Sequence, residues 1–363
     1  PSVQREFAVN RFQRIWSKRM KRQVSEFRIE YLGLTEDAGY RTRCGIRPMD
    51  DNGRVVLGMA SWFPSQPPIE LKTCRNHSPE LNGLLESLAQ VLNPLLSRDD
   101  WRRIREIRCQ VSASGTPHLT FVTITSPDRS RHSIERMLEN VRSIPAEVWL
   151  LETATPGTST RFKTPKSLGE PAPLTCRVGH RLIHLAPNIW SPVAPDSEQI
   201  LIGKIRDWIP DSSTRVVEIG CGAGTISHML ADWGFQVTGI DVDRTAVATA
   251  RLNLIPENES RAEFRVGEGT HAVRRLLQKG FHADTAIVHG MRGAFGRSLF
   301  DALSAAGVRR IILVSPSTHA WCHDASSLVF RGWSLDTISI IDQLPNTAGF
   351  LTAACLRKNP LSR

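Results

Sequence analysis

Apolar residues in the second half of the chain fall into short runs separated by segments with helical spacing. Short apolar runs bounded by turn residues predict buried strands. The runs are 216–219, 237–240, 262–266, 285–288, 310–314 and 353–356. Strands that alternate with helices are typical of a doubly wound, mostly parallel sheet. The second half is therefore predicted to be one α/β domain.

The first half has a different pattern. Residues 40–47 and 54–59 predict a hairpin about the turn Asp51-Asn52-Gly53, because Asn-Gly suits the left-handed positions of a tight hairpin turn. Five further elements are predicted: a helix over 81–96, two strands within 104–124 separated by 114–117, a helix over 133–141 and a strand over 148–151. This mixture predicts an α+β module. Residues 154–173 are rich in Thr, Pro, Gly and Ser and are the predicted hinge.

Positive charge is concentrated near the start of the chain. The net charge is +10 and the isoelectric point is about 9.7. Residues 1–22 carry seven basic side chains against the single acid Glu6, and four of the seven are Lys18, Arg19, Lys21 and Arg22. A basic helical arm suits a polyanion such as RNA, and it equally suits a solubilising helix face. Both interpretations stay open.

The cysteine pattern and the hydropathy of the chain indicate the cellular compartment. There are seven cysteines, none in a C-x-x-C pair. We expect reduced thiols, with no disulfides, metal or iron–sulfur cluster. No apolar run is long enough to span a membrane. A cytoplasmic monomer is the expectation.

The strongest chemical signal follows the first strand of the α/β domain. Glu218, Gly220, Gly222 and Gly224 form an E-x-G-x-G-x-G loop, and Asp241 ends the next strand. Glycines let a ligand approach the backbone, and a carboxylate at a strand end accepts hydrogen bonds from ribose hydroxyls. The spacing is that of class I enzymes dependent on S-adenosylmethionine (SAM), with a Rossmann-like fold. Glu268 follows the third strand and is predicted to lie near the adenine.

Several segments resemble the RNA uracil-5-methyltransferase family, which makes 5-methyluridine in tRNA and rRNA. They are Tyr40-Arg41-Thr42-Arg43, Leu57-Gly58, Cys74, 79–85, 168–171 and 342–347. The charge pattern predicts a basic arm at 1–35. The resemblance covers about 36–358 and implies an α+β RNA-binding domain at 36–175 and a SAM-dependent methyltransferase domain at 176–363. It also implies RNA contacts by Arg41, Arg43 and Arg292.

The resemblance fails where the family performs its chemistry. In that family a cysteine adds to carbon 6 of uracil and a glutamate helps to remove the carbon-5 proton. Here Pro316 stands at the cysteine's position and Leu351 at the glutamate's. The D-P-P-R loop reads His289-Gly290-Met291-Arg292, and the F-x-Q-x-N loop reads 190–194 as Trp-Ser-Pro-Val-Ala.

Substitutes for the missing groups are few. Cys322 lies six residues after Pro316, about 9 Å along a helix at about 1.5 Å per residue, and is expected to be a buried side chain. His289 is the candidate general base for an oxygen or nitrogen nucleophile, and an ordinary histidine on a degenerate loop is the alternative. Three functions stay open: a SAM-dependent RNA methyltransferase without the cysteine adduct, an inactive RNA-binding relative, and a small-molecule methyltransferase.

Overall fold

The computed structural model describes residues 2–20, 27–34, 36–60, 66–92, 99–124, 138–155, 163–169, 172–290 and 293–358. The chain divides into two compact units. The first comprises Pro1–Thr35, Val178–Ile183 and Asp196–Arg363, and the second comprises Glu36–Arg177 and His184–Pro195. Each unit has its own sheet.

The strands, in chain order, are β1 (Arg28–Gly33), β2 (Arg43–Asp51), β3 (Arg54–Met59), β4 (Ile69–Glu70), β5 (Ile104–Val111), β6 (Pro117–Ile124), β7 (Glu147–Thr153), β8 (Lys166–Ser167), β9 (Leu174–Val178), β10 (Arg181–Leu185), β11 (Arg215–Ile219), β12 (Gln236–Asp241), β13 (Ala262–Val266), β14 (Thr285–His289), β15 (Arg310–Ser315), β16 (Trp333–Asp342) and β17 (Leu351–Lys358). The helices are α1 (Ser2–Met20), α2 (Pro79–Leu92), α3 (Pro195–Trp208), α4 (Thr225–Asp232), α5 (Arg244–Leu252), α6 (Gly269–Leu277), α7 (Arg297–Ala305) and α8 (Thr318–Val329). Short 3-10 turns occur at Asp99–Arg103 and Pro256–Asn258.

The first unit contains an eight-stranded sheet in the order β1-β16-β17-β15-β14-β11-β12-β13. Its pairs are parallel except that β17 runs antiparallel to β15 and β16. All six strands predicted from apolar runs are present. Parallel strands with crossover helices place the carboxyl ends of β11 to β15 on one edge, where α/β proteins bind ligands.

Two strands of this sheet escaped prediction. β16 contains Ser334, Asp336 and Thr337, and β1 contains Glu30, so neither reads as an apolar run. Glu30 is partnered by a helix and a neighbouring strand: it forms an ion pair with Lys204 of α3 at 2.7 Å and accepts a hydrogen bond from Ser339 of β16. A polar side chain paired in this way is tolerated in a half-buried strand.

The helices of the first unit pack in separate hydrophobic clusters. One cluster joins residues of α1, α6, α7 and α8 to the sheet. A separate cluster joins α4 and α5 to β13 through Ala231, Val247, Ala250 and Phe264. Distinct clusters are expected for a sheet covered on both faces, as the predicted α/β fold requires.

The separate basic arm is a correction. Helix α1 belongs to the first unit, and Phe12 and Trp16 are buried at 0% and 3% exposure. Their rings lie 5.7 and 5.9 Å from that of Trp321 on α8. The apolar face of α1 thus forms part of a core, because burying three large aromatic rings outweighs any gain from leaving the helix free.

The second unit is an α+β module, with a seven-stranded sheet ordered β4-β3-β2-β5-β6-β7-β8. β6 and β7 pair in parallel, and the other neighbouring strands of this sheet pair antiparallel. The predicted hairpin is confirmed: β2 pairs with β3 about Asn52 (φ 53°) and Gly53 (φ 85°). The buried leucines of α2 pack against this sheet. Of the helix predicted over 133–141, residues 138–141 are helical and 133–137 lie outside the described residues.

The predicted hinge at 154–173 is also a correction. Strand β8 within it pairs antiparallel with β7, joining Trp149 to Ser167 and Leu150 to Lys166. Backbone pairing keeps the described residues of this segment in the second unit, which extends to Arg177. The chain passes between units within the paired strands β9 and β10. Composition alone does not reveal such pairing.

The packing of α1 generates a stability prediction. Phe12→Ala is expected to lower the free energy of unfolding by about 3–5 kcal/mol, because it removes a fully buried ring between Trp16 and Trp321. Phe7→Ala, at a ring 46% exposed on the same helix, is the control and should cost less than about 1 kcal/mol. Urea unfolding measures both. Equal costs would mean that α1 does not contribute to the core.

Candidate active site

The glycine loop joins β11 to α4 and is shaped by close backbone approaches. Gly220, Gly222 and Gly224 have φ of 83°, 56° and 82°. A Cβ at Gly220 would lie 2.4 Å from the carbonyl oxygen of His289, and one at Gly224 would lie 2.9 Å from the ring of Phe264. A Cβ at Gly222 would meet nothing within 4 Å. Positive φ and close contacts therefore require two of these glycines, whereas Gly222 borders open space.

Asp241 ties the loop to the end of β12. Its Oδ2 accepts a hydrogen bond from the backbone N–H of Gly222 at 2.9 Å, and its Oδ1 accepts one from the N–H of Asp243 at 2.9 Å. The side chain is half-buried. Each carboxylate oxygen retains a second acceptor site, so ribose hydroxyls can be bound without breaking either hydrogen bond.

Glu218 lies beneath the loop and is 1% exposed. Burial raises its pKa to about 7, a hydrogen bond donated by Ser227 opposes this, and Asp241 adds repulsion. A second buried carboxylate, Glu198 on α3, has its pKa raised to about 7 by burial and by Glu218. Two like charges buried together are costly when ionised. Sequence reasoning missed Glu198, although the inward face of the amphipathic helix α3 includes its position.

Glu268 has a structural role that the sequence prediction did not foresee. It is the N-cap of α6, and its oxygens accept hydrogen bonds from the N–H groups of Thr270 and His271, both at 3.0 Å. Burial alone would raise the pKa of Glu268, but these hydrogen bonds outweigh it and lower the pKa to about 2. The contact with adenine stays a prediction, made by a carboxylate that already caps a helix.

His289 ends β14, beside the glycine loop. It is half-buried, and burial lowers its pKa to about 4. The imidazole is therefore neutral at pH 7, but it is a weak base, since general bases act best when their pKa lies near the working pH. Met291 and Arg292 lie outside the described residues.

Pro316 and Leu351 occupy very different surroundings. Pro316 is exposed between β15 and α8, in a turn where the N–H of Ser317 donates to Ser315 Oγ at 3.1 Å. Ser317 then caps α8. Leu351 is 4% exposed at the start of β17. Neither residue offers a nucleophile or a proton acceptor.

No cysteine of the first unit is suited to replace the missing thiolate. Cys322 is 1% exposed in the core, and burial raises its pKa to about 12. Burial likewise raises the pKa of Cys221 well above its ordinary value and that of Cys355 to about 11. Reactive cysteines need an accessible thiolate. The prediction that Cys322 is a buried side chain is confirmed.

The predicted RNA contacts are divided between the two units. In the first, Lys18 is exposed and Arg19 donates to Ser326 Oγ at 3.1 Å. In the second, Arg41 donates to the carbonyl of Arg43, and Arg43 stacks on Trp190, with its Cζ 5.8 Å from the ring centroid. Lys21, Arg22 and Arg292 lie outside the described residues.

Two groups that hold the surrounding loops were not anticipated. Asp324, 2% exposed on α8, accepts hydrogen bonds from the N–H groups of Phe295 and Gly296 at 2.8 and 3.1 Å. Gln4 of α1 donates to Asp342 Oδ1 at 2.9 Å and accepts from the N–H of Asn346 at 2.7 Å. Such long-range contacts carry no local sequence signal.

Comparisons with known proteins agree with this geometry. A family model described as a methyltransferase domain matches residues 216–293. A protein of Clostridium tetani named as an uncharacterized RNA methyltransferase is 22% identical over 88% of this chain and 70% of its own length. A protein of Oceanobacillus iheyensis with the same description is 24% identical over 87% and 70%. The crystal structure of Pyrococcus abyssi tRNA (uracil-54, C5)-methyltransferase with S-adenosyl-L-homocysteine (SAH) superposes with a TM-score of 0.71 at 16% identity, covering 96% of this chain and 83% of that one.

The fold and the matched domain define the class of protein. The sheet order, the antiparallel β17 and the loop after β11 are those of class I SAM-dependent methyltransferases, so the chain is a methyltransferase of this class and its cofactor is SAM. The residues present fit that cofactor: open space borders Gly222, and Asp241 retains acceptor capacity beside it. SAM supplies an electrophilic methyl group on a sulfonium.

The residues that the structure describes contain no helix that is both long and apolar enough to cross a bilayer. They contain no group of three or more His, Cys, Asp or Glu side chains arranged to hold a metal ion.

The open space beside Gly222 generates a prediction. Gly222→Ala is expected to lower the affinity for SAM by at least about tenfold, because the new methyl group occupies space that the ligand needs. Gly280→Ala is the matched control, since Gly280 also has positive φ (77°) and nothing within 4 Å of a Cβ. Both variants carry similar backbone strain. Calorimetric titration should separate them; equal affinities would place the ligand elsewhere.

The buried carboxylates generate a pH prediction. The pKa values of Glu198 and Glu218 are raised from 4.5 to about 7 in the folded protein. The folded state therefore favours the neutral carboxyl groups, and it loses stability relative to the unfolded state as pH rises from about 4.5 through about 7. The melting temperature of the ligand-free protein should fall over this range. Glu198→Gln, which cannot ionise, should show a smaller fall, measured by differential scanning fluorimetry. An identical fall in both proteins would contradict the burial of an ionisable Glu198.

Proposed function

We propose that this methyltransferase acts on RNA, tRNA or rRNA, and does so without forming a cysteine adduct at uracil. The observation that carries the proposal is the combination of a complete SAM loop with Pro316 at the nucleophile's position. Loss of function by general decay would be expected to damage the loop, where Gly220 and Gly224 leave no room for a side chain.

The proposed cofactor site is formed by Glu218, the three glycines and Asp241. The glycine backbone lies against the ligand, Asp241 accepts hydrogen bonds from the ribose hydroxyls, and Glu218 lies at the amino-acid end. Glu268 is assigned to the adenine end. This arrangement orients the methyl group toward the carboxyl edge of the sheet, and orientation supplies much of the rate in methyl transfer.

The proposed acceptor is a substrate atom with its own lone pair. Carbon 5 of uracil needs a thiolate adduct to become nucleophilic, and the cysteines of the first unit are buried or half-buried thiols whose pKa values burial raises. A nitrogen or oxygen of a nucleotide needs only orientation and modest help with a proton. Neutral His289 can give that help by accepting a hydrogen bond, which its pKa of about 4 permits at neutral pH.

RNA is the proposed substrate class because two independent features favour it. The relatives from Clostridium tetani and Oceanobacillus iheyensis are named as RNA methyltransferases. The exposed basic face of α1, which includes Arg14 and Lys18, suits phosphates. Arg41 and Arg43 of the second unit are the other proposed contacts, although Arg43 is largely occupied by Trp190 and Ser191. A cytoplasmic location and a monomeric state accompany this proposal.

The experiment that tests the function is incubation with SAM carrying a deuterated methyl group and total small RNA, followed by nucleoside mass spectrometry. We expect a mass-shifted nucleoside other than 5-methyluridine. Labelled 5-methyluridine would contradict the proposed chemistry. Binding without methyl transfer would favour the inactive relative, and transfer only to a metabolite fraction would favour the small-molecule enzyme.

The absence of a cysteine adduct is a separate prediction. With SAM and RNA containing 5-fluorouracil, no protein–RNA band should survive a denaturing gel, because proline has no nucleophilic atom. A bona fide RNA uracil-5-methyltransferase that retains its cysteine serves as the positive control. A stable band would mean that a thiol of this protein reaches carbon 6 of the base. Loss of the band in Cys322→Ser would then identify Cys322 as that thiol.

RNA affinity is predicted to depend on salt through α1. Replacing Arg14 and Lys18 by Gln should flatten the log–log salt slope by about 1.4, since each lost single-strand phosphate contact removes about 0.7. The control double replacement of the exposed Arg244 and Lys279 by Gln changes net charge equally. Electrophoretic titration measures both slopes. Equal slopes would remove α1 from the RNA interface.

A further inference from the structure

Glu198 is a buried carboxylate whose role is not explained by the fold. It lies in the first turn of α3 and is 4% exposed. Among the residues that the structure describes, no hydrogen bond or ion pair to its side chain occurs. The carboxylate of Glu218 lies close enough to repel it.

A structural explanation of this placement is weak. Acidic residues in the first turn interact favourably with the helix dipole, but Asp196 in the same turn does so while exposed. Burying a carboxylate without hydrogen bonds is unfavourable, and placing it beside a second carboxylate adds repulsion. An apolar residue at this position would stabilise the unliganded protein better. The arrangement therefore indicates a cation that arrives with a ligand.

The surroundings limit what that cation is. Glu218 is two residues before Gly220, and the loop that follows it borders open space at Gly222. No third His, Cys, Asp or Glu joins the pair as a metal site within the described ranges. Neither carboxylate forms a salt bridge with a described Lys or Arg. A single organic cation with several N–H donors, a primary ammonium group, matches two carboxylates that lack a positive partner.

We propose that Glu198, together with Glu218, binds the α-ammonium group of the cofactor's amino-acid end. Glu198 is thus a cofactor-binding residue contributed by α3, outside the glycine loop. The inference rests on the proposed SAM site and extends it to a second element. The ligand's positive charge offsets the repulsion between the carboxylates, so the site is completed by the ligand.

The test compares two ligands that differ in one group. The wild-type protein is titrated by calorimetry with SAH and with its desamino analogue, which lacks only the ammonium group. We expect SAH to bind at least about tenfold more tightly, as for loss of a charge-assisted hydrogen bond. Glu198→Gln should lose about tenfold for SAH and leave the analogue's affinity unchanged. Asp207→Asn, at an exposed position of the same helix, should change neither.

Each outcome decides a different point. Equal losses of both ligands in Glu198→Gln would show that Glu198 acts only on the shape of the site, and unchanged SAH affinity would show no role; either overturns the inference while leaving the SAM site intact. If Glu198→Gln fails to fold, equal binding of SAH and its desamino analogue by the wild-type protein overturns it without a variant. Binding of neither ligand by the wild-type protein would overturn the proposed function itself, and this inference with it.

Discussion

The hydrogen bond from the N–H of Gly222 to Asp241 is the constraint on which the site depends. It joins the loop after β11 to the end of β12, and the N–H groups of Gly220 and Cys221 reinforce it by donating to the carbonyl of Ile240 at 2.8 and 3.2 Å. The loop is held on its other side by the approach of Gly220 to the backbone of His289. Three neighbouring strand ends therefore determine where a ligand can lie. No side chain at Gly220 is compatible with this geometry.

Two segments at the carboxyl edge of the sheet are held by contacts between residues that are distant in sequence. Asp324 fixes the segment that leads into α7, and Gln4 of α1 fixes the segment from Asp342 to Asn346. Tyr31 donates to Asp342 from β1 at 2.5 Å. The N-terminal residues thus serve the catalytic unit twice, through the aromatic core and through this loop. A basic surface on the same helix can contact RNA without leaving the fold.

How far the sequence predicts the structure depends on whether a signal is local. The strands of the α/β domain, the Asn52-Gly53 hairpin and the glycine loop were predictable, because apolar periodicity and glycine spacing act over a few residues. The polar strands β1 and β16 could not be predicted from a local pattern, since Glu30 is paired with Lys204 and Ser339, which are distant in sequence. Glu268 shows a further limit: its position suggested adenine, and the folded chain uses its carboxylate to cap α6. Glu198 could be found only once the fold placed it near Glu218.

The two positions at which the chain departs from the uracil-5-methyltransferases in their catalytic residues fit the fold around them. Pro316 lies in an exposed turn that Ser315 and Ser317 stabilise, and Leu351 packs as an ordinary core residue of β17. Pro316 and Leu351 thus depart from the family's pattern, whereas the glycine loop and Asp241 keep the pattern of a SAM site.

The central claim is that the cofactor site operates through Asp241 despite these changes. Calorimetric titration of SAM into the wild-type protein and Asp241→Ala tests it most directly, with Asp211→Ala, an exposed aspartate of the same unit, as the control. The account predicts that the wild-type protein and the control bind alike and that Asp241→Ala binds about ten- to a hundredfold more weakly. Absence of binding by the wild-type protein, or unchanged affinity in Asp241→Ala, would contradict it.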